Sequence, residues 1–448
     1  MIVAKFGGAL LNSSEGLLRA RDEIRRLPGP LLVVVSAFAN VTNLLEHLAD
    51  HALSDSAAAA RDLDAIIELH AGIARRALSA GAYNAWLETI APHRARLADV
   101  VQGLGIVREL SPRTLDLIVH FGERFSSALL LAALNDSPSG ADAAGICALD
   151  LIITDGAHRY ARPDLELTRE RVLEQIPPLL ATHPVVVTEG YIARSASGQA
   201  TTMGRESSNY SATMLASILD AREVRIYTSV PGILTADPKL VPEARTLRTM
   251  SYAMANTLAE LGAKILHPRT VMPVERSSIP LVITSLGGES TTIGTEGEHG
   301  YSIAMLPDAE LISLETATTT AALDPFLRAI AAETPIIWQQ RFRHRMQILL
   351  AGPYPHASLP VHLVAEPVEA HVAPVSVLSL VGEERLSGEE MERFFAAFAG
   401  RDLLAMQGGI EGRAISVALD REAARRTLGP LHERFAAATG VLHSDTHT

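Results

Sequence analysis

Two textures alternate along the first 285 residues. Short, β-branched apolar runs predict strands at Ile2–Phe6, Leu31–Val35, Pro184–Thr188, Glu223–Tyr227 and Leu281–Thr284. Between the second and third of these, Ser56–Leu78, Tyr83–Leu104 and Pro112–Leu134 are rich in Ala, Leu and Arg with apolar residues at helical spacing. Strands that alternate with helices predict an α/β fold, a mainly parallel sheet with helices on both faces. The helical stretch then reads as an insertion over about residues 50–135. Later, Ala212, Leu215, Ala216 and Leu219 fall at i, i+3, i+4 and i+7, which predicts a helix behind a Gly/Ser turn. Residues 286–300 are rich in Gly, Ser, Thr and Glu and predict a linker.

After residue 300 the pattern changes. Val375–Val381 predicts a strand, Gly388–Phe398 a helix, Asp402–Met406 and Arg413–Ala418 strands, and Arg421–Phe435 a helix. That order is typical of a small α+β sandwich. A weaker copy runs through Leu311–Leu314, Pro325–Ala332, Pro335–Trp338, Gln347–Leu350 and Val361–Ala365. Two related modules are therefore expected, at 301–370 and 371–440, with Ser444–Thr448 frayed.

Composition narrows the class. At 448 residues there is room for roughly three domains. A net charge of −12 argues against nucleic acid or an anionic membrane as partner, since both need a basic surface. The single cysteine, Cys147, excludes a disulfide framework and points to a reducing cytoplasm; it reads as a small buried residue. No leader and no unbroken apolar run of about 18 residues is seen, so neither secretion nor a membrane span is expected. The 16 histidines are scattered, and no dedicated metal site is expected.

Two segments carry candidate chemistry. Lys5-Phe6-Gly7-Gly8 ends the first strand, and glycines there let backbone N–H groups close on an anion while a lysine adds a point charge. Thr201, Thr202, Gly204, Ser207 and Ser208 precede the helix of Ala212, so a polar turn sits at its positive end. Together they describe a phosphate pocket; separately, each also reads as an ordinary strand–turn–helix junction.

These motifs, with Ser36-Ala37-Phe38-Ala39-Asn40-Val41-Thr42-Asn43, Gly122-Glu123-Arg124-Phe125-Ser126, Thr201-Thr202-Met203-Gly204-Arg205, Thr228-Ser229-Val230-Pro231-Gly232-Ile233-Leu234-Thr235-Ala236-Asp237-Pro238-Lys239 and Leu261-Gly262-Ala263-Lys264-Ile265-Leu266-His267-Pro268, occur in an order that resembles the aspartate kinase family. The resemblance covers nearly the whole chain. It implies an amino-acid kinase domain over 1–285 followed by a tandem of ACT-like (βαββαβ) modules that pair chains into a homodimer. It implies ATP and Mg²⁺ as cofactors, aspartate as acceptor, and a product that opens the lysine, threonine and methionine pathway. Moving a phosphoryl group onto a carboxylate brings two anions together, so charge must be neutralised and the groups held in line. By resemblance Lys5 and Lys264 flank the transferring group and Asn209 stands where an acid holds the lysine. Glu123 takes the acceptor's ammonium and Arg205 its α-carboxylate, with Thr42, Tyr191 and Ser208 beside it. Gly7, Gly8, Gly204, Thr228, Ser229, Asp237 and Lys239 line the nucleotide side.

The chain departs from the family at that pocket. Gly7-Gly8 is followed by Ala9-Leu10 in place of Thr-Ser; Glu206 and Asn209 replace a glycine and an aspartate; Ser229 replaces an aspartate. Glu206 is placed to compensate for Asn209 by reaching Lys5 itself. Glu315–Ala322 lacks the glycine turn that would cradle an effector. Two other readings stay open: a kinase for a related amino-acid carboxylate, and a silent amino-acid or nucleotide sensor. Taken alone, Glu123 also reads as a surface acid paired with Arg124.

Overall fold

The computed structural model describes residues 1–136, 142–204, 206–262, 267–316, 319, 321–356, 359–364, 368–408 and 412–436. They form two units, Met1–Gly232 with Arg269–Gly294, and Ile233–Pro268 with Thr295–Thr448.

The first unit opens with β1 (Ile2–Phe6), α1 (Gly8–Leu11), α2 (Ser14–Arg26) and β2 (Leu31–Val35). The predicted insertion follows as α3 (Val41–Ala52), α4 (Ser56–Ala77), α5 (Ala80–Val107), α6 (Pro112–Val119) and α7 (Phe121–Asn135). Side-chain caps set several starts: Ser13 accepts from Gly16, Asp55 from Ala58 and Ser111 from Thr114. The expected helix Pro112–Leu134 is broken at His120, whose backbone N–H still reaches the Asp116 carbonyl. Pro112–Asn135 is long and apolar enough to cross a membrane, yet 72% of its most apolar stretch is buried and Phe121, Phe125, Leu129 and Leu130 lie in the core. Then come β3 (Ala143–Gly145), α8 (Ala148–Leu151), β4 (Ile153–Thr154), α9 (Leu165–Thr182), β5 (Val185–Glu189), β6 (Ile192–Ser195), β7 (Ala200–Thr202), α10 (Ser208–Ile218) and β8 (Glu223–Tyr227). Past β9 (Thr249–Ser251) and α11 (Tyr252–Glu260), which belong to the second unit, the chain returns through α12 (Pro268–Arg276), β10 (Leu281–Thr284) and β11 (Ser290–Gly294).

In the first unit the main sheet runs β3-β5-β2-β1-β8-β10-β11, parallel up to β10. Ile2, Ala4 and Phe6 share a core with α2, α3 and α7, and the alternate residues Val3, Leu32 and Val34 are also fully buried. Burial on both faces is why these strands read as continuous apolar runs. Ser290–Gly294, expected within a linker, is instead an antiparallel strand on β10. Its Thr291 and Ile293 are buried while their neighbours are half exposed, a strand pattern that the Gly- and Ser-rich surroundings mask.

The second unit carries one antiparallel sheet, β13-β14-β12-β15-β17-β16. Its strands are β12 (Tyr301–Glu315), β13 (Ile336–Arg341), β14 (Arg345–Leu350), β15 (Glu369–Gly382), β16 (Ala405–Gly408) and β17 (Ala414–Leu419), with helices α13 (Asp324–Glu333), α14 (Gly388–Ala396) and α15 (Arg421–Ala436). The two expected modules share their central strands. β12 and β15 pair from Tyr301↔Gly382 to Glu315↔Glu369, with an irregularity between Leu306 and Ala309. One end of this ribbon packs Ile312, Leu314 and Ile348 on Phe326 and Ile330; the other packs Ile303, Leu378 and Leu380 on Phe394 and Leu428. Val361–Leu363 is a single 3₁₀ turn where a helix over Val361–Ala365 is predicted, and 365–367 lie outside the described residues.

Candidate active site

Strand register brings the motifs together. Phe6 is level with Val35 and Tyr227, Val35 with Glu189, and Tyr227 with Thr284. The residues that follow, Gly7, Ser36, Gly190 and Thr228, therefore emerge at one edge, the carboxyl ends of the parallel strands, where α/β sheets bind ligands. Stacked Phe6 and Tyr227 rings, 4.5 Å apart, brace that edge from below.

Lys5 alternates with Ala4 and Phe6 along β1 and is buried. Its ammonium is held down to a pKa of about 8, chiefly by desolvation, against which the carboxylates of Glu206 and Glu123 pull upward. Glu123 is buried rather than a surface acid, and Arg124 pairs with Glu189 instead, at 2.6 Å. The Glu123 Oε1 atom accepts the Ala37 N–H at 3.2 Å, whereas Oε2 is buried with no hydrogen-bond partner among the described residues. Burial raises its carboxyl to about 8. An acid with one unpartnered, desolvated oxygen suits a cationic ligand group, which would restore its ionised form, because an unmade buried bond costs about 1–3 kcal/mol.

Gly8 makes the pocket possible. A Cβ there would lie 1.9 Å from the Ala37 carbonyl oxygen, so only glycine lets the Ser36–Ala39 loop close over β1. That loop is tied by Ala39 N–H to the Gly8 carbonyl at 3.2 Å and by Ser126 Oγ to the Ser36 carbonyl at 2.8 Å. Thr42 follows in the first turn of α3, half-buried. Past β5, Gly190 lets the start of α10 approach: its Cβ would sit 2.7 Å from that of Ser208. Tyr191, at φ +66°, donates its N–H to Ser211 Oγ, and burial pushes its hydroxyl far above the ordinary range. Ser208 is buried in the first turn of α10. Asn209 Oδ1 and Ser207 Oγ are buried without partners among the described residues, so Glu206, not Asn209, is the α10-side group that acts on Lys5.

Two acids that the sequence did not single out organise the surroundings. Asp116 is wholly buried and accepts from Thr202 N–H and Oγ1, Arg159 N–H and the His158 ring, at 2.7–3.1 Å. Glu189 accepts from Arg124 Nη1, Ser127 Oγ and Ala148 N–H, at 2.6–2.8 Å. The Arg124–Glu189 pair lies in a cavity of about 190 Å³ lined also by His93 and Cys147. Burial lifts the Cys147 thiol to about 11, which keeps it protonated and unreactive. Only long-range contacts reveal these roles; Asp116 sits in a helix that reads as an ordinary amphipathic one.

On the expected nucleotide side, the Thr228 N–H reaches the Thr284 carbonyl at 2.8 Å, and Ser229 is exposed. Gly204 lies in the turn after β7 at φ +93°. Asp237 and Lys239 belong to the second unit, both exposed, with Asp237 Oδ1 accepting the Lys239 N–H at 2.9 Å. Arg205 and Lys264 lie outside the described residues. The structure therefore assembles Lys5, Gly7, Gly8, Glu123, Tyr191 and Ser208 at one sheet edge.

Comparison with known proteins finds relatives of this chain. The Amino acid kinase family model matches residues 1–285. An aspartokinase of Chlamydia pneumoniae is 32% identical over 284 residues, 63% of this chain and 60% of that protein. Lysine-sensitive aspartokinase 3 of Escherichia coli (strain K12) is 32% identical over 285 residues, 64% of this chain and 61% of its own length. The matched segment thus spans about three fifths of these curated relatives. Among solved structures, E. coli aspartokinase III in complex with aspartate and ADP (R-state) shares the fold, with a TM-score of 0.84 at 24% identity over 97% of this chain and 100% of that one.

Proposed function

Because the chain belongs to the amino acid kinase family, we propose that it transfers the terminal phosphoryl group of ATP to the side-chain carboxylate of L-aspartate, giving 4-phospho-aspartate. The observation that carries this reading is the buried Lys5 ammonium beside Gly7, under the charge of Glu123, a buried acid whose Oε2 has no partner among the described residues. In the first unit Lys5 then neutralises charge as the phosphoryl group moves, with the Gly8 amide on the phosphate side and the Gly7 N–H held by the Tyr227 carbonyl at 3.1 Å. Glu123 receives the acceptor's ammonium, and Tyr191, Thr42 and Ser208 wall the acceptor. Arg205 is assigned to the α-carboxylate, Lys264 to the transferring group, and Gly204, Thr228, Ser229, Asp237 and Lys239 to the nucleotide.

Mg²⁺ would come with the nucleotide. No cluster of three or more His, Cys, Asp or Glu side chains able to hold a metal occurs among the described residues. That fits an ion that keeps its waters and takes substrate phosphates plus one or two protein ligands. Its part is to offset phosphate charge.

We read the C-terminal modules as ACT-like, as the surface through which two copies pair, and the compartment as cytoplasmic. A second reading, transfer to a related amino-acid carboxylate, is favoured by the Glu206 carboxylate acting on Lys5 while Asn209 Oδ1 has no partner among the described residues. The test is turnover with ATP, Mg²⁺ and a panel of acidic amino acids, reading ADP release and trapping the acyl phosphate with hydroxylamine. ADP release and hydroxamate with aspartate support the first reading. Hydroxamate only with another acceptor supports the second, and neither product with any acceptor removes both.

A further inference from the structure

We propose that Arg159 is an acceptor-binding residue, whose guanidinium Nη1 donates to a carboxylate oxygen of the amino acid. The assignment rests on the kinase reading of the site and adds a specificity determinant to it.

Three observations converge. First, Arg159 sits at φ +73°, left-handed territory that costs a non-glycine residue roughly 1–3 kcal/mol. It is fixed there by its own N–H, which donates to buried Asp116 at 2.9 Å. Asp116 also anchors Thr202, the last residue of the strand that leads to Gly204. Second, its guanidinium is only partly used. Nη2 donates to Glu46 Oε1 at 2.5 Å, while Nη1 is buried with no partner among the described residues. A planar fork that spends one arm on an acid and leaves the other desolvated is set for a second, oxygen-rich partner. Third, the location is the acceptor side. The charge of Arg159 is felt at the Tyr191 hydroxyl, as is that of Glu123. The Arg159 carbonyl lies 3.7 Å from where a Gly204 Cβ would stand, so the Arg159–Tyr160 turn covers the approach to the Gly204 turn. Strain and an orphaned donor at one residue are retained where a ligand uses them.

The test compares wild type with Arg159→Met, Arg159→Lys and Arg159→Gly. Glycine accepts the left-handed backbone without strain, so that variant folds even if methionine does not. Losing a charge-assisted bond to a carboxylate raises KM for aspartate about ten- to a hundredfold in the Met and Gly variants. The Lys variant falls between, and KM for ATP stays within twofold. A merely structural role instead leaves KM for aspartate within twofold while shifting the melting temperature, and that outcome overturns the assignment. Calorimetric binding of aspartate separates the two layers. A wild type that binds aspartate without turnover removes the kinase reading, and the same shift in Kd then decides Arg159. A wild type that neither binds nor phosphorylates aspartate or any other acidic amino acid overturns both.

Discussion

Gly8→Ala places a methyl group where the Ala37 carbonyl oxygen already stands. The new Cβ would lie 1.9 Å from that oxygen and 3.0 Å from both Ala37 C and Ala39 N. That is roughly 1.5 Å short of van der Waals contact with a backbone atom that cannot rotate away. The loop must lift, and two bonds lift with it: Ala39 N–H to the Gly8 carbonyl and Ala37 N–H to Glu123 Oε1, both 3.2 Å. Overpacking costs about 1–3 kcal/mol and each lost bond about 1. A gain of up to about 1 kcal/mol from replacing glycine in a helix offsets part of that. The net expectation is a loss of about 2–4 kcal/mol in urea unfolding. Turnover should fall by about a hundredfold, the usual consequence of an ångström-scale misplacement at a reacting centre. Gly81→Ala is the control: it lies in α5 with nothing within 4 Å of its Cβ, and should gain up to about 1 kcal/mol at unchanged turnover. Equal urea midpoints and equal kcat/KM for Gly8→Ala and wild type would refute the steric reasoning outright.

Further expectations concern buried charge. Lys5→Met should reduce kcat by about 10²–10³ or more without lowering the melting temperature, since burial already disfavours the ammonium; a variant within tenfold of wild type sinks Lys5's role. Glu123 has a folded pKa of about 8 against an ordinary 4.5, so its unfolded form ionises first. The stability it contributes is complete below about pH 4.5 and is lost as pH rises toward 8, on the order of a few kcal/mol. Glu123→Gln should therefore flatten the decline in unfolding free energy across that window, and parallel curves for the two proteins would exclude the shift. Asp116→Asn turns an amide N–H₂ toward one of four donors, and should lower unfolding free energy by about 2–4 kcal/mol in urea titration. A change under about 1 kcal/mol contradicts the network.

What could be read from the chain depended on how local the cause was. Leu31–Val35 and Val185–Glu189 are legible because burial on both faces demands unbroken apolar residues. The hairpin of β6 and β7 escaped notice, being short and polar at Arg194, Ser195, Thr201 and Thr202. Residues 286–300 misled because Thr291 and Ile293 bury a strand inside a turn-like composition. In Pro112–Leu134 only Gly122, two residues on, hints at the break at His120, whose own backbone stays helical. At the site, Lys5 and Glu123 were visible through the motifs around them. Asp116, Arg159 and Glu189 were not, because each acts through partners 41 to 113 positions away in the chain. The orphaned oxygens of Glu123 and Asn209 are likewise properties of packing, beyond any pattern of spacing.

The ribbon of β12 and β15 sets a limit on dissection. Each strand serves two separate hydrophobic cores of the second unit, Ile303 and Ile312 on one strand, Ala370 and Leu378 on the other. Cutting the chain between the two repeats would leave β12 on one fragment and β15 on the other, each with the edge it now shares unsatisfied, the kind that recruits strangers. The duplication has been welded into a single piece, and it can be inherited, lost or exchanged only whole.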